Sequence, residues 1–295
     1  HYFVMRDFLK NIILIIIVII GMFSFSNTAN ASHVAGGYIQ FDCTGTPGVY
    51  KIRLVLYRDC SGISMSTSNQ TIKLTNTCGI ANPKTVTVSY KSMQEVSQVC
   101  ATDQNKTTCK GGTIPGFQEY IFEGTVNLGN CNSWTASYAL CCRNNVNNVS
   151  GASSTDFYVK TQIFTGTDNC NDSPAVTAQP EPYVCKGQPV SYNLGAYEPD
   201  GDVIVYSLVS ALNSNGNPLN YTGGNSGPSP VPGVNIDPNT GTVTWLPTTN
   251  GTYIFVIQMT EYDSNGNVVT VTNYEYQTTV ITCSNQLPVT PAQSG

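Results

Sequence analysis

The residues of this chain best suited to chemistry are acidic. Glu198-Pro-Asp-Gly-Asp202 sets three carboxylates at alternate positions around a glycine turn. A hard cation such as calcium takes roughly six to eight oxygens, and a turn of this kind supplies several at once. Glu261-Tyr-Asp263 offers a second cluster at the end of a strand-like run, and Asp237, in Asn235-Ile-Asp-Pro-Asn-Thr-Gly241, is a third contributor. The expected calcium ligands are therefore Glu198, Asp200, Asp202, Asp237, Glu261 and Asp263. A competing reading needs no metal. Asp-Gly and Asn-Gly pairs form ordinary hairpin turns, and the full ligand spacing of a dedicated calcium loop is lacking.

Catalytic chemistry fails on inventory. A hydrolase triad needs a histidine or an equivalent base beside its nucleophile. The chain has two histidines, His1 and His33, and His1 lies upstream of the expected initiator Met5. Neither G-x-S-x-G nor H-E-x-x-H occurs. One imidazole makes neither a zinc site nor a copper brace, so His33 is expected only to hydrogen-bond near the start of the first strand. A glycosidase needs two carboxylates flanking a sugar. Asp59, Glu119 and Glu123 are available, but nothing in their spacing selects them, and Asp59 between Arg58 and Cys60 suits a salt bridge or turn cap. The expectation is that the protein is not an enzyme.

Eleven cysteines stand at 43, 60, 78, 100, 109, 131, 141, 142, 170, 185 and 283. There is no C-x-x-C pair, which argues against zinc. Disulfides are the expected use, as in an oxidising compartment. Cys185 and Cys283 open and close one unit, and domain termini often lie close together, so they are expected to pair. The pairing of Cys43, Cys60, Cys78, Cys100, Cys109, Cys131, Cys141, Cys142 and Cys170 is open, with one thiol left over. In an extended chain Cys141 and Cys142 point to opposite faces, so they are expected to bond to different partners.

The elements that must position these groups read as strands. Tyr50–Tyr57, Thr85–Tyr90, Tyr120–Leu128 and Ser133–Leu140 alternate apolar with polar, and Val203–Val209, Tyr253–Met259 and Tyr274–Ile281 are strand-like runs. No stretch beyond residue 31 keeps a helical apolar period for three turns. The predicted fold is all-β: a disulfide-rich, β-sandwich-like domain, then an immunoglobulin-like or cadherin-like sandwich. Charged residues make up 11% of the chain and the net charge is −5, which leaves no basic surface for nucleic acid.

The order of segments follows. Arg6 and Lys10 precede an isoleucine-rich run, and Ala29-Asn30-Ala31 ends it. This is the three-part pattern of a secretory signal peptide, with cleavage expected between Ala31 and Ser32. A membrane anchor competes, because Ile12–Phe25 falls only somewhat short of the roughly 20 residues that span a bilayer. Residues 1–31 are thus upstream residues and signal, and 32–171 the cysteine-rich domain. A proline-rich linker follows at 172–182, then the second domain at 183–283. Residues 284–295 are read as a linker to a missing downstream region.

Ser32-His-Val-Ala-Gly-Gly37, Leu54-Val-Leu-Tyr-Arg-Asp-Cys-Ser-Gly62, Ile114-Pro-Gly-Phe-Gln-Glu-Tyr120, Leu140-Cys-Cys-Arg-Asn144 and Cys170-Asn-Asp-Ser-Pro174 together resemble the N-terminal region of large exported surface proteins of Bacteroidota. Ala196-Tyr-Glu-Pro-Asp-Gly-Asp202 and Val234-Asn-Ile-Asp-Pro-Asn-Thr-Gly-Thr-Val-Thr-Trp-Leu-Pro247 look like a cadherin-like, immunoglobulin-type repeat. The resemblance implies gliding-motility-associated or adhesin-like proteins exported by type IX secretion, with acidic clusters that bind calcium at domain edges and no defined catalytic site. The expected function is a non-enzymatic role in adhesion, as a stalk, or in extracellular assembly. The expected location is secreted, at the cell surface, with no membrane span in the mature chain. Expected partners are other surface proteins, copies of itself or extracellular polysaccharide, with calcium as the one candidate cofactor. The alternative is a carbohydrate-binding module of a larger secreted enzyme, for which the seventeen tyrosines offer stacking rings.

Overall fold

A computed structural model describes residues 33–80, 84–129, 131–165 and 170–283. The expected signal peptide with its Ala31/Ser32 junction, and the tail 284–295, lie outside the described residues. Among the described residues no helix is long and apolar enough to cross a membrane.

The fold is all-β and disulfide-rich. Its first seven strands are β1 (Val34–Cys43), β2 (Val49–Asp59), β3 (Gln70–Asn76), β4 (Lys84–Glu95), β5 (Phe117–Asn127), β6 (Trp134–Leu140) and β7 (Phe157–Ile163). There follow β8 (Tyr183–Cys185), β9 (Val190–Tyr192), β10 (Val203–Leu208), β11 (Asn235–Ile236), β12 (Val243–Trp245), β13 (Gly251–Tyr262) and β14 (Val268–Ile281). The first seven lie in the order β1-β2-β5-β4-β3-β6-β7, and the sheet continues through β14 and β13 to β10. A separate small sheet runs β11-β12-β9.

Strand β14 holds the architecture together. One of its edges takes β13 in antiparallel register from Gly251↔Val280 to Tyr262↔Val268. Its other partners follow one another along its length: β7 at Thr270–Thr272, β1 at Glu275 and Tyr276, and β8, in parallel, at Thr279–Ile281. The two ends of the seven-strand sheet are thus drawn together against one strand.

Two cores result. Alternate residues of the seven strands, among them Ile39, Phe41, Leu54, Phe122, Trp134 and Phe157, fill the inside of the curled sheet. The other face of β1, β2 and β5 contributes Tyr38, Val55, Tyr57 and Phe117 to a second core, which it shares with Leu194, Tyr206, Trp245, Phe255 and Tyr276. Every residue of β1 from Val34 to Phe41 is buried, because the strand is covered on both faces. The proline-rich stretch 172–182 therefore joins two halves that share a sheet and a core.

Gly36 and Gly37 lie inside β1 and allow close backbone approach. A Cβ on Gly36 would fall on the Glu275 carbonyl oxygen, and one on Gly37 on the Val55 carbonyl oxygen.

Five disulfides are present: Cys43–Cys170, Cys60–Cys109, Cys78–Cys131, Cys141–Cys142 and Cys185–Cys283, with Cys100 exposed and free. The expectation that Cys141 and Cys142 bond to different partners is corrected, since they bond to each other. Strand β6 has ended at Leu140, and the peptide between the cysteines is cis. The pair lies past the end of the strand, where the opposite-face rule for extended chain does not apply.

Candidate metal centre

Strand β13 explains how a carboxylate reaches the interior. Phe255, Ile257 and Met259 occupy alternate positions and point into the second core. Glu261 continues that face at the end of the strand, opposite Ile204 on β10 and Thr270 on β14. Its side chain is 0% exposed, and neither carboxylate oxygen makes a hydrogen bond of ordinary geometry.

The turn between β9 and β10 lies over this carboxylate. Oxygens of Glu198, Asp200 and Glu261 lie within 4.8 Å of one another. Glu198 spends one oxygen on the Asp202 N–H, at 2.8 Å, and its Oε1 is buried without a partner. Asp200 accepts the N–H of Asp172 at 2.7 Å. The preceding residue, Asn171, is buried beside Glu261; its Nδ2 donates to Thr270 Oγ1 at 3.1 Å, and its Oδ1 is buried without a partner. Three buried oxygens without hydrogen-bond partners, Glu198 Oε1 and both of Glu261, therefore face one another, with Asn171 beside them.

The electrostatics follow from this crowding. Burial, aided by the charges of Glu198 and Asp202 and opposed by the Asn171 and Thr270 side chains, pushes the Glu261 carboxyl up to about 8. Burial also raises Glu198, with Asp200 adding repulsion. Asp172 is raised by burial and then by Asp200 and Asp42, against the backbone N–H of Cys43 that donates to it. Carboxylates packed together without a counter-charge favour either a proton or a cation. The donors are all oxygen, which suits a hard cation such as calcium.

Of the residues expected from sequence, Glu198, Asp200 and Glu261 come together, and Asp202 lies beside them with its backbone bonded to Glu198. Asp237 and Asp263 stand outside this cluster. Asp237 caps its own turn, accepting the N–H groups of Asn239 and Thr240. Asp263 caps the β13–β14 hairpin through Asn265 and Asn267. Asn171 was missed. Its signal was the sequence Cys170-Asn-Asp, where the Cys43–Cys170 bridge fixes the chain just before the site.

The remaining candidates play local roles. The His33 carbonyl accepts the Asp59 N–H at 3.0 Å, and the His33 ring packs on Gly62. Asp59 caps a turn by accepting from the N–H and Oγ of Ser61. No protein-family model matches the chain, and no curated protein matches it.

Proposed function

We propose that this protein is a non-enzymatic, exported cell-surface protein with an adhesive, stalk or extracellular-assembly role, and that calcium bound by Glu198, Asp200, Glu261 and Asn171 stiffens it. On this reading it is the N-terminal part of a larger multidomain surface protein of the Bacteroidota kind, and its partners are other surface proteins, copies of itself or extracellular polysaccharide. Five disulfides support an oxidising compartment. The observation that carries the calcium reading is Glu261, a fully buried carboxylate with no hydrogen bond of ordinary geometry and no counter-charge, facing two more carboxylates.

The site joins three separate pieces of chain: the 171–172 segment, the 198–202 turn and the end of β13. A cation held there ties the stretch between the halves to the end of β13, which is useful in a protein that bears load. Calcium titration of chelator-stripped protein tests the reading. The expected dissociation constant is on the order of 10⁻⁴ M, typical of extracellular calcium modules, with a matching rise in melting temperature. Identical melting with calcium and with chelator would sink it.

A further inference from the structure

A cleft lies under the 172–182 stretch. Residues 175–179 run as a strap over the outer face of β1, β2, β5 and β4, leaving a cleft of about 420 Å³, within the range of small-ligand sites. The register of the strands orders its floor into three rows. Gln40, Arg53 and Glu123 lie side by side, then Tyr38, Val55 and Ile121, then Tyr57, Glu119 and Gln94. Tyr38, Val55 and Tyr57 belong to the second core beneath, so the surface open to a ligand is mainly polar, with Arg53, Glu123, Glu119 and Gln94 around the partly exposed Ile121.

These polar groups are already oriented. Arg53 donates from Nε to Glu123 at 3.0 Å and from Nη1 to Gln40 at 3.4 Å. Glu119 accepts from the Tyr57 hydroxyl at 3.3 Å and from Gln94 at 2.8 Å. Tyr197, bonded through its backbone to Ala175 of the strap, places a ring 55% exposed at the lip.

The chemistry of the lining selects the ligand. Arg53 is paired with Glu123, and the lining carries two positive groups, Arg53 and Lys91, against two negative ones, Glu119 and Glu123, so there is no surplus charge to hold an anion or a cation. Fixed carboxylates and amides with spare lone pairs suit a ligand carrying many hydroxyls. An exposed tyrosine ring suits the C–H side of a sugar. On the strap, the Ala175 and Ala178 N–H groups already bond to Tyr197 and Leu194, which removes them as donors to an added peptide strand.

We infer that this cleft binds an uncharged oligosaccharide, with Tyr197 as the stacking ring and Gln94, Glu119 and Arg53 as hydrogen-bonding groups. The inference rests on the adhesion reading for its setting and names its ligand class. The test is calorimetric titration of the calcium-loaded protein with neutral cello-, xylo- and manno-oligosaccharides, with oligogalacturonate as the charged comparison. At least one neutral series is expected to bind. Tyr197→Ala and Gln94→Ala, both at exposed side chains, are each expected to weaken it about tenfold or more, a loss of about 1.4 kcal/mol, with melting unchanged. The inference is overturned if no neutral series binds, if oligogalacturonate binds more tightly, or if Tyr197→Ala leaves affinity unaltered. Calcium-dependent melting of the same samples is independent of the cleft, so either reading can fail alone.

Discussion

Arg143 grips Glu275 in a two-pronged ion pair, Nε to Oε1 at 2.9 Å and Nη2 to Oε2 at 2.8 Å, with the side chains 0% and 1% exposed. Two further guanidinium donors go to the carbonyls of Asp156 and Leu212. Arg143 follows β6, Leu212 lies in the second half, and Glu275 is the β14 residue paired with Gly37 of β1. One guanidinium therefore joins the end of the first sheet, the closing strand and the second half.

A buried pair of this kind contributes little net stability relative to apolar residues, but breaking it leaves an uncompensated charge. Glu275→Leu is expected to lower unfolding free energy by about 3–5 kcal/mol, with Arg143→Met costing a similar amount. The double variant should recover much of that loss, read from denaturant midpoints as a coupling energy. Single variants that unfold at the wild-type midpoint would show that the pair is not needed.

Gly36→Ala tests the contact between β1 and β14. Its Cβ would meet backbone, the Glu275 carbonyl and the Tyr276 Cα, which cannot swing aside as a flexible side chain can. Overpacking of this type costs roughly 1–3 kcal/mol. The expected result is a lower melting temperature with all five disulfides intact by mass, and an unchanged melt would contradict the close approach.

The Cys43–Cys170 bridge spans 127 residues and ends one residue before Asn171. Closing a loop of that size stabilises by about 4–5 kcal/mol in the chain-entropy account. The paired Cys43→Ala/Cys170→Ala variant is expected to lose stability and also calcium affinity, because Asn171 is then less firmly positioned. Removing Cys60–Cys109, remote in sequence from the site, should cost stability alone. Equal calcium affinity in the two variants would break the proposed link between bridge and site.

The strands were readable because alternation survives wherever one face is solvated, as in β7, where every second residue is buried. What could not be read was the sharing of a core between the halves. Strand β1 is buried on both faces, and its partner β14 lies more than two hundred residues away, so neither carries a local sign of the other. The acidic turn was recognisable from carboxylates at alternate positions. Asp237 and Asp263 looked equivalent, because a turn-capping aspartate and a ligating one share the same neighbours in sequence. Glu261 differs from Asp263 in one respect visible in the sequence: it continues the Phe255, Ile257, Met259 face.

The protonation of Glu261 supplies the sharpest test of the proposed metal centre. Its carboxyl titrates near 8 in the folded chain against an ordinary 4.5. Between those values the calcium-free folded state holds a proton that the unfolded chain has released, so stability must fall as pH rises through that window. Glu198, raised as well, adds to the same slope. Chelated protein should therefore melt several degrees lower at pH 8.5 than at pH 5.5, since about 1 kcal/mol moves Tm by roughly 2–4 °C at this size. Calcium competes with the proton for the same oxygens, so its stabilisation should be larger at the higher pH. Glu261→Gln mimics the protonated acid: it should flatten the pH slope of the chelated protein and remove most of the calcium-induced shift. Asp263→Asn, at an exposed turn cap, should leave both intact. A Glu261→Gln protein that keeps the wild-type calcium response would exclude Glu261 as a ligand.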